Sequence, residues 1–370
     1  TDYTYAAGTT NSKLSLISSE LTKNNSGAKV GETKYYYDGL AFGSASSGNL
    51  TKQENWITGS TYATNQHSYN SYGLITSDTD PLGNTTSYTY DSYNLYPVTI
   101  TNALNQSTTF TYDYSSGQPL SVTDTNGAKI TYTYDGFDRP LTQNQSDFTN
   151  PSALVLKTEY IYNDNFPRSV TQQNYLNNSN HADSHVYFDG FGQTIQERAE
   201  AEGSNFSVKD TVYDNRGLVQ KTSLPYFSAG SSKTNPTTQN SLYTNFIYDA
   251  LGRPTQITDA TGTVQNSYDQ WALTTTDQLN HKKDFKKDAY DRLTTVVEYN
   301  GATPYTTNYT YDANGNLTKL TDALGNIRSF TYDGLSRRTR AEDLHAPSDT
   351  TFGVWNYFYD NAGNLIRSIQ

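Results

Sequence analysis

The chain has no cysteine and no methionine among its 370 residues. The first absence excludes disulfides, thiolate nucleophiles and Cys-ligated metals, and it fits an exported bacterial surface better than a disulfide-stapled secreted domain. The second leaves no initiator, so the chain is expected to be processed or excised from something longer. No apolar run approaches the ~18 residues of a membrane span, and the opening Thr-Asp-Tyr-Thr-Tyr is not a signal peptide. Basic charge is short: 26 Lys and Arg against 37 Asp and Glu give a net charge of −11. That balance argues against a nucleic-acid partner, which needs basic stripes, and against an anionic membrane surface. The basic cluster Lys282-Lys283 and Lys286-Lys287 is interleaved by Asp284 and Asp288, as on a solvated face.

Apolar residues are also scarce. They make up 34% of the chain, and the mean hydropathy of −0.76 is poor for a solid globule of this size. Charged residues are only 17%, so the chain is not a charge-rich disordered segment. What is abundant is Thr, Ser, Asn, Gln and 33 tyrosines. Thr and Tyr favour strands, and Tyr supplies a large ring with a polar tip.

These residues fall into a repeat, aromatic-x-Tyr-Asp-x-x-Gly. Copies end at Tyr90-Asp91, Tyr112-Asp113 and Tyr134-Asp135, and again at Tyr311-Asp312 and Tyr332-Asp333. Looser copies sit at Asp38, Asp189, Asp214, Asp249, Asp269 and Asp360. A period in this range marks a repeat architecture rather than separate globules, so residues 1–370 are expected to form one continuous array. Asp at the first position of a turn and Gly at the fourth predicts type I turns closed by a left-handed bulge residue. Such pairs are Asp80/Gly83, Asp124/Gly127, Asp249/Gly252, Asp312/Gly315, Asp322/Gly325 and Asp360/Gly363. Asn105 and Asn280 stand where Gly stands elsewhere, and Asn tolerates positive φ.

Between turns the runs alternate with period 2. Tyr88/Tyr90, Phe110/Tyr112, Tyr132/Tyr134 and Phe330/Tyr332 share one face, against Thr89, Thr111, Thr133 and Thr331 on the other. The expected fold is all-β: a β-hairpin array of two strands and two turns per repeat, forming a long antiparallel sheet with aromatic ladders on one face. Stretched repeats near 142–158, 172–185, 199–209 and 221–245 read as longer hairpin tips or surface loops.

Residues 78–141 and 249–370 closely resemble the YD repeats of the Rhs family, on copies such as Tyr248-Asp249-Ala250-Leu251-Gly252-Arg253-Pro254 and Thr321-Asp322-Ala323-Leu324-Gly325-Asn326. The resemblance implies a sheet that spirals into a hollow shell. It implies enclosure of a toxin domain, as in bacterial polymorphic toxins and the B and C components of insecticidal toxin complexes, or a cell-adhesion role, as in teneurins. Complete relatives often end in an Asp-Pro-x-Gly-Leu type cleavage site before a variable toxin. Asp80-Pro81-Leu82-Gly83-Asn84 resembles it only superficially, lies mid-array, and is explained as a turn.

Candidate chemistry is sparse. His181 and His185 have a helical zinc spacing, but on a strand they stand too far apart for one ion, and no metalloprotease Glu accompanies them. His67, His281 and His345 are isolated. Asp124-Thr125-Asn126-Gly127 resembles part of an EF-hand loop without its terminal Glu, which leaves a turn or opportunistic calcium. The aromatic ladders could stack on sugars, or pack on one another across strands. No catalytic, cofactor or metal residues are assigned. Two functions remain in view: a non-catalytic segment of an encapsulating shell in a large exported bacterial protein, or an extracellular adhesion or fibre-forming protein that binds glycans or self-associates. The expected partners are further repeats of the same shell and an enclosed toxin domain, with no nucleic acid and no membrane insertion.

Overall fold

The computed structural model describes all residues except 9–14, 148–149, 151–152, 178 and 236–241. The described residues contain strands and turns and no helix. They divide into two compact units. One comprises residues 1–107, 270–272 and 283–370, and the other residues 108–269 and 273–282.

In the first unit, strands Asp2–Tyr5, Ile17–Lys23, Lys29–Tyr37, Leu50–Thr58, Thr61–Tyr69, Ile75–Thr79, Thr85–Tyr90 and Pro97–Thr101 pair antiparallel, each with the next. The same order runs through Leu293–Asn300, Thr303–Tyr311, Leu317–Thr321, Ile327–Tyr332, Arg338–Glu342, Val354–Tyr359 and Leu365–Ile369. Two contacts tie these runs together. The Asn314 side chain donates to Val30 O at 2.9 Å, and Gly334 N donates to Ile57 O at 2.8 Å. Gly334 has a reason to lack a side chain, since a Cβ there would run into the Trp56 ring.

In the second unit, consecutive strands pair antiparallel from Ser107–Tyr112 to Asn205–Tyr213. There the pattern changes. Val219–Ser223 and Tyr226–Ala229 both pair with Asn205–Tyr213, and Tyr243–Tyr248 pairs only with the first of them. The stretched repeats at 142–158, 172–185 and 199–209 consist largely of strand, as lengthened hairpins.

The two turns of a repeat differ. After Asp322 the ladder runs in register, Thr321 facing Ile327 and Leu320 facing Arg328. After Tyr332-Asp333 it slips: Tyr332 faces Arg338 but Thr331 faces Arg340, which leaves Thr339 as a bulge. The same slip occurs at Tyr90, Tyr112, Tyr134, Tyr248, Tyr311 and Tyr359. A bulge bends the strand and increases its local twist, so each repeat curves at the same end.

Little is fully buried. The aromatic face is half-buried and the threonine face exposed, as in Phe330, Thr331 and Tyr332. Buried hydrophobic residues are few and mostly small or isolated, among them Ala6, Ala45, Ile57, Ala63 and Ala341. A denser set, Tyr187, Phe206 and Val208, lies in the second unit together with buried polar residues.

Candidate functional site

The repeat motif is a bonding device, and each of its residues has a local task. In Asp322-Ala323-Leu324-Gly325-Asn326, Oδ1 of Asp322 accepts the N–H groups of Leu324 and Asn326 at 2.9 and 2.8 Å, and Oδ2 accepts the Asn326 amide at 2.8 Å. Gly325 N returns to Asp322 O at 3.0 Å, with Gly325 at φ 85°. The turns at Asp80, Asp312 and Asp360 share the Asn clamp four residues on. Asp124 accepts Asn126 N and Ala128 N in the same way. Asp249 uses Arg253 in place of Asn, and Asp277 uses His281. The Asn amides, followed by backbone N–H groups, hold the Asp80, Asp322 and Asp360 carboxyls below the usual carboxylate range. Gly83, Gly127, Gly252, Gly315 and Gly363 have φ between 78° and 95°, and Asn105 and Asn280 occupy the same region at 59° and 64°.

The tyrosine before the aspartate has a role that no spacing in the sequence displays. Tyr332 O–H donates to Leu317 O at 2.9 Å. The ladder between Leu317–Thr321 and Ile327–Tyr332 stops at Lys319 facing Ser329, so Leu317 O lies beyond its last rung. The hydroxyl supplies the bond that the ladder omits. Tyr90 does this for Ile75 O and Tyr134 for Pro119 O, both at 2.8 Å. The pattern recurs at Tyr37, Tyr69, Tyr162, Tyr213, Tyr248, Tyr268, Tyr311 and Tyr359, each time on the first residue of an earlier strand. Burial raises the Tyr134 and Tyr332 hydroxyls above the ordinary phenol range, which keeps them protonated donors.

Arginine links one repeat to the next. Arg337 bonds Asp333 through Nε at 2.7 Å, donates to Asp360 O at 2.8 Å, and lies 4.9 Å from the Tyr359 ring centre. Arg292 repeats this with Asp288, Asp312 and Tyr311. Of the aromatic faces, Phe110 and Tyr112 stack along one strand with centres 6.4 Å apart.

The second unit holds a buried polar network. Gln196 and Arg198, 0% and 1% exposed, project from Thr194–Glu200 beneath residues 229–234. Gln196 Nε2 donates to Asp210 Oδ1 at 2.6 Å, and Tyr226 O–H donates to Asp210 Oδ2 at 2.8 Å. Burial, then the Asp210 carboxylate, pushes the Tyr226 hydroxyl up to about 12. His185 faces Arg198 across the ladder and bonds Thr171 Oγ1 at 2.7 Å through Nδ1. Burial lowers its pKa, and the Arg198 charge acts in the same direction. An adjoining groove of about 720 Å³ is lined by Asp189, Phe191, Asp214, Arg216, Lys233 and Tyr243. The sequence carries little sign of this network. Its one visible signal is that the alternation in residues 194–200 places Gln196 and Arg198 on the same face.

His181 pairs with Asp183, His67 with Asp78, and His345 stacks on Phe352 with centres 3.6 Å apart. Among the described residues no group of three His, Cys, Asp or Glu side chains is placed to hold a metal, and no helix is long and apolar enough to cross a membrane.

An antiparallel array of Tyr-Asp hairpins, stapled through hydroxyl and turn bonds, defines a YD-repeat β protein. The chain carries repeats of the Rhs/YD type: residues 114–147, 288–327 and 311–343 match the RHS Repeat model. Residues 161–247, which contain the buried network, match a separate model described as a domain of unknown function, DUF6443. No curated protein sequence matches the chain. In fold it is similar to the crystal structure of TcdB2-TccC3 without its hypervariable C-terminal region, at 12% identity and a TM-score of 0.71, over 92% of this chain and 26% of that one. It is similar to TcdB2-TccC3 itself at 12% identity and 0.65, over 93% and 26%. The Photorhabdus luminescens Tc holotoxin pore follows at 14% identity and 0.53, over 87% and 19%. The chain thus spans about a quarter of the length of the TcdB2-TccC3 structures it matches.

Proposed function

We propose that this chain is a non-catalytic wall segment of a YD-repeat shell that encloses a toxin domain in an exported bacterial protein. The observation that carries the reading is where the motif's polar groups go. The Asp322 carboxylate and the Tyr332 hydroxyl, the groups most suited to chemistry, are engaged within the sheet itself. A one-layer wall needs such internal satisfaction, because it has little core to hold it. The likeness to TcdB2-TccC3 supports the same reading. The test is limited proteolysis of the whole protein from which the chain comes. The polypeptide beyond the repeats should resist protease until the shell is unfolded. Digestion at the rate of the same polypeptide expressed alone would end the proposal.

A second reading, adhesion to glycans, draws on the turn tips, where Phe191, Tyr290 and Phe137 are 94%, 80% and 79% exposed. Glycan-array binding by the chain, lost on Phe191→Ala, would move the assignment there.

A further inference from the structure

Residues 226–235 cross a face of the sheet and are held there by their main chain. Tyr226–Ala229 pair with Asn205–Val208, and Gly230 N donates to Ser204 O at 3.1 Å. The strap then passes over three side chains. Arg198 Nη2 donates to Gly230 O at 2.6 Å, and Tyr187 O–H donates to Ser231 O at 2.7 Å. Gln196 takes both main-chain groups of Thr234: its Nε2 donates to Thr234 O at 2.7 Å, and its Oε1 accepts Thr234 N at 3.1 Å. That donor–acceptor pair is what a neighbouring strand offers a residue in a ladder. Its orientation is fixed from behind, because Asp210 can only accept and so requires Nε2. Two strap side chains are engaged, Tyr226, whose O–H donates to Asp210 Oδ2 at 2.8 Å, and Thr234. Ser231 and Ser232 are exposed, and the side-chain bond from Arg198 goes to Thr234 Oγ1 at 3.1 Å. The receiving residues are by contrast almost wholly covered, and Arg198 Nε, on a side chain only 1% exposed, has no partner among the described residues.

Tyr187 and Gln196 bond only to the strap's backbone, and groups that do so recognise extension, not sequence. Among the described residues the strap leaves a buried guanidinium donor unfilled, which makes it an imperfect occupant. We propose that Tyr187, Gln196 and Arg198 form a main-chain-reading site for an extended polypeptide segment with small side chains. The chain's own strap fills the site in cis, and a segment of a separate polypeptide takes it when the strap leaves. The site stands whether or not the sheet is a shell wall.

A tethered strap competes at high effective concentration, so the test loosens it first. Thr234→Pro removes the N–H that Gln196 accepts and the hydroxyl that Arg198 bonds, and leaves the receiving side chains in place. A fluorescein-labelled decapeptide with the sequence of residues 226–235 should bind the full-length Thr234→Pro chain, by anisotropy, at least about tenfold more tightly than it binds the unaltered chain. A decapeptide with residues 228–233 shuffled should bind within about threefold of it, since there the backbone is what is read. Adding Gln196→Leu should weaken binding by about tenfold. Adding Tyr187→Phe, which keeps the ring and loses one bond, should weaken it by about threefold and serves should the leucine variant not fold. Failure of the peptide to bind the Thr234→Pro chain, a strong preference for the native order, or binding unmoved by both receiving-side substitutions would overturn the proposal.

Discussion

The stretch from Asp288 to Glu342 and the stretch from His181 to Ala229 are built on the same hairpin but are held by different means. In the first, bonding is local and repeated. An Asp clamps each turn, a Tyr hydroxyl takes the carbonyl beyond the last rung, and an Arg reaches the next motif. Side chains there are mostly half-buried. In the second, the chain folds back over its own sheet and buries Tyr187, Gln196, Arg198, Phe206, Val208 and Asp210. The difference teaches that a one-layer sheet can do without a core if every repeat satisfies its own backbone. Once a segment covers the face, the sheet must match that segment's backbone with buried polar groups, which are expensive to leave unpaired.

Two arginines break the comparison most sharply. Arg198→Met should destabilise by about 3 kcal/mol, because it strips donors from Gly230 O, Thr234 Oγ1 and Gln196 Oε1 in a site closed to water. Arg292→Met removes an equivalent set of contacts, to Asp288, Asp312 O and the Tyr311 ring, from a side chain 28% exposed, and should cost about 1 kcal/mol or less. Equal shifts in the denaturant midpoint would show that the covered face contributes no more than the open one. Next comes backbone geometry. Gly325 sits at φ 85°, and no atom lies within 4 Å of where a Cβ would stand, so Gly325→Val isolates strain and should cost about 1–2 kcal/mol. Gly325→Asn should lose much less, since Asn105 and Asn280 already adopt that conformation. Tyr332→Phe should cost about 1 kcal/mol, by leaving Leu317 O without its donor, and an unchanged thermal midpoint would remove the hydroxyl from the account.

The smallest effect expected is of pH, and it should be confined to the covered region. His185 is held neutral by burial and by Arg198, against the opposing pull of Asp183 and Glu200, so its folded pKa lies below the ordinary value of 6.5. As pH falls below about 6.5 the unfolded chain takes up a proton that the folded site resists, and stability declines. The depressed turn aspartates add their own loss only at lower pH, through the carboxylate range. His185→Gln should remove the first phase and leave the second. A first phase that persists in that variant would assign it to another group.

What the sequence determined alone is whatever closes within about five residues. Asp322 meets N–H groups two and four positions on, and Gly325 or its Asn substitutes must take a φ that other residues resist. The all-β character follows from the same turns and from the period-2 runs between them. Sequence could place Phe330 and Tyr332 on one face, but it could not say what the hydroxyl does. That depends on where the ladder stops and where Thr339 bulges, and hence on register between strands. Nor could it show that Gly334 is small to admit Trp56, or that Gln196 meets Thr234, 38 residues away. Those partners are chosen by how strands stack and where an excursion lands. A pattern of nearest neighbours carries no record of either, so only the tertiary structure decided them.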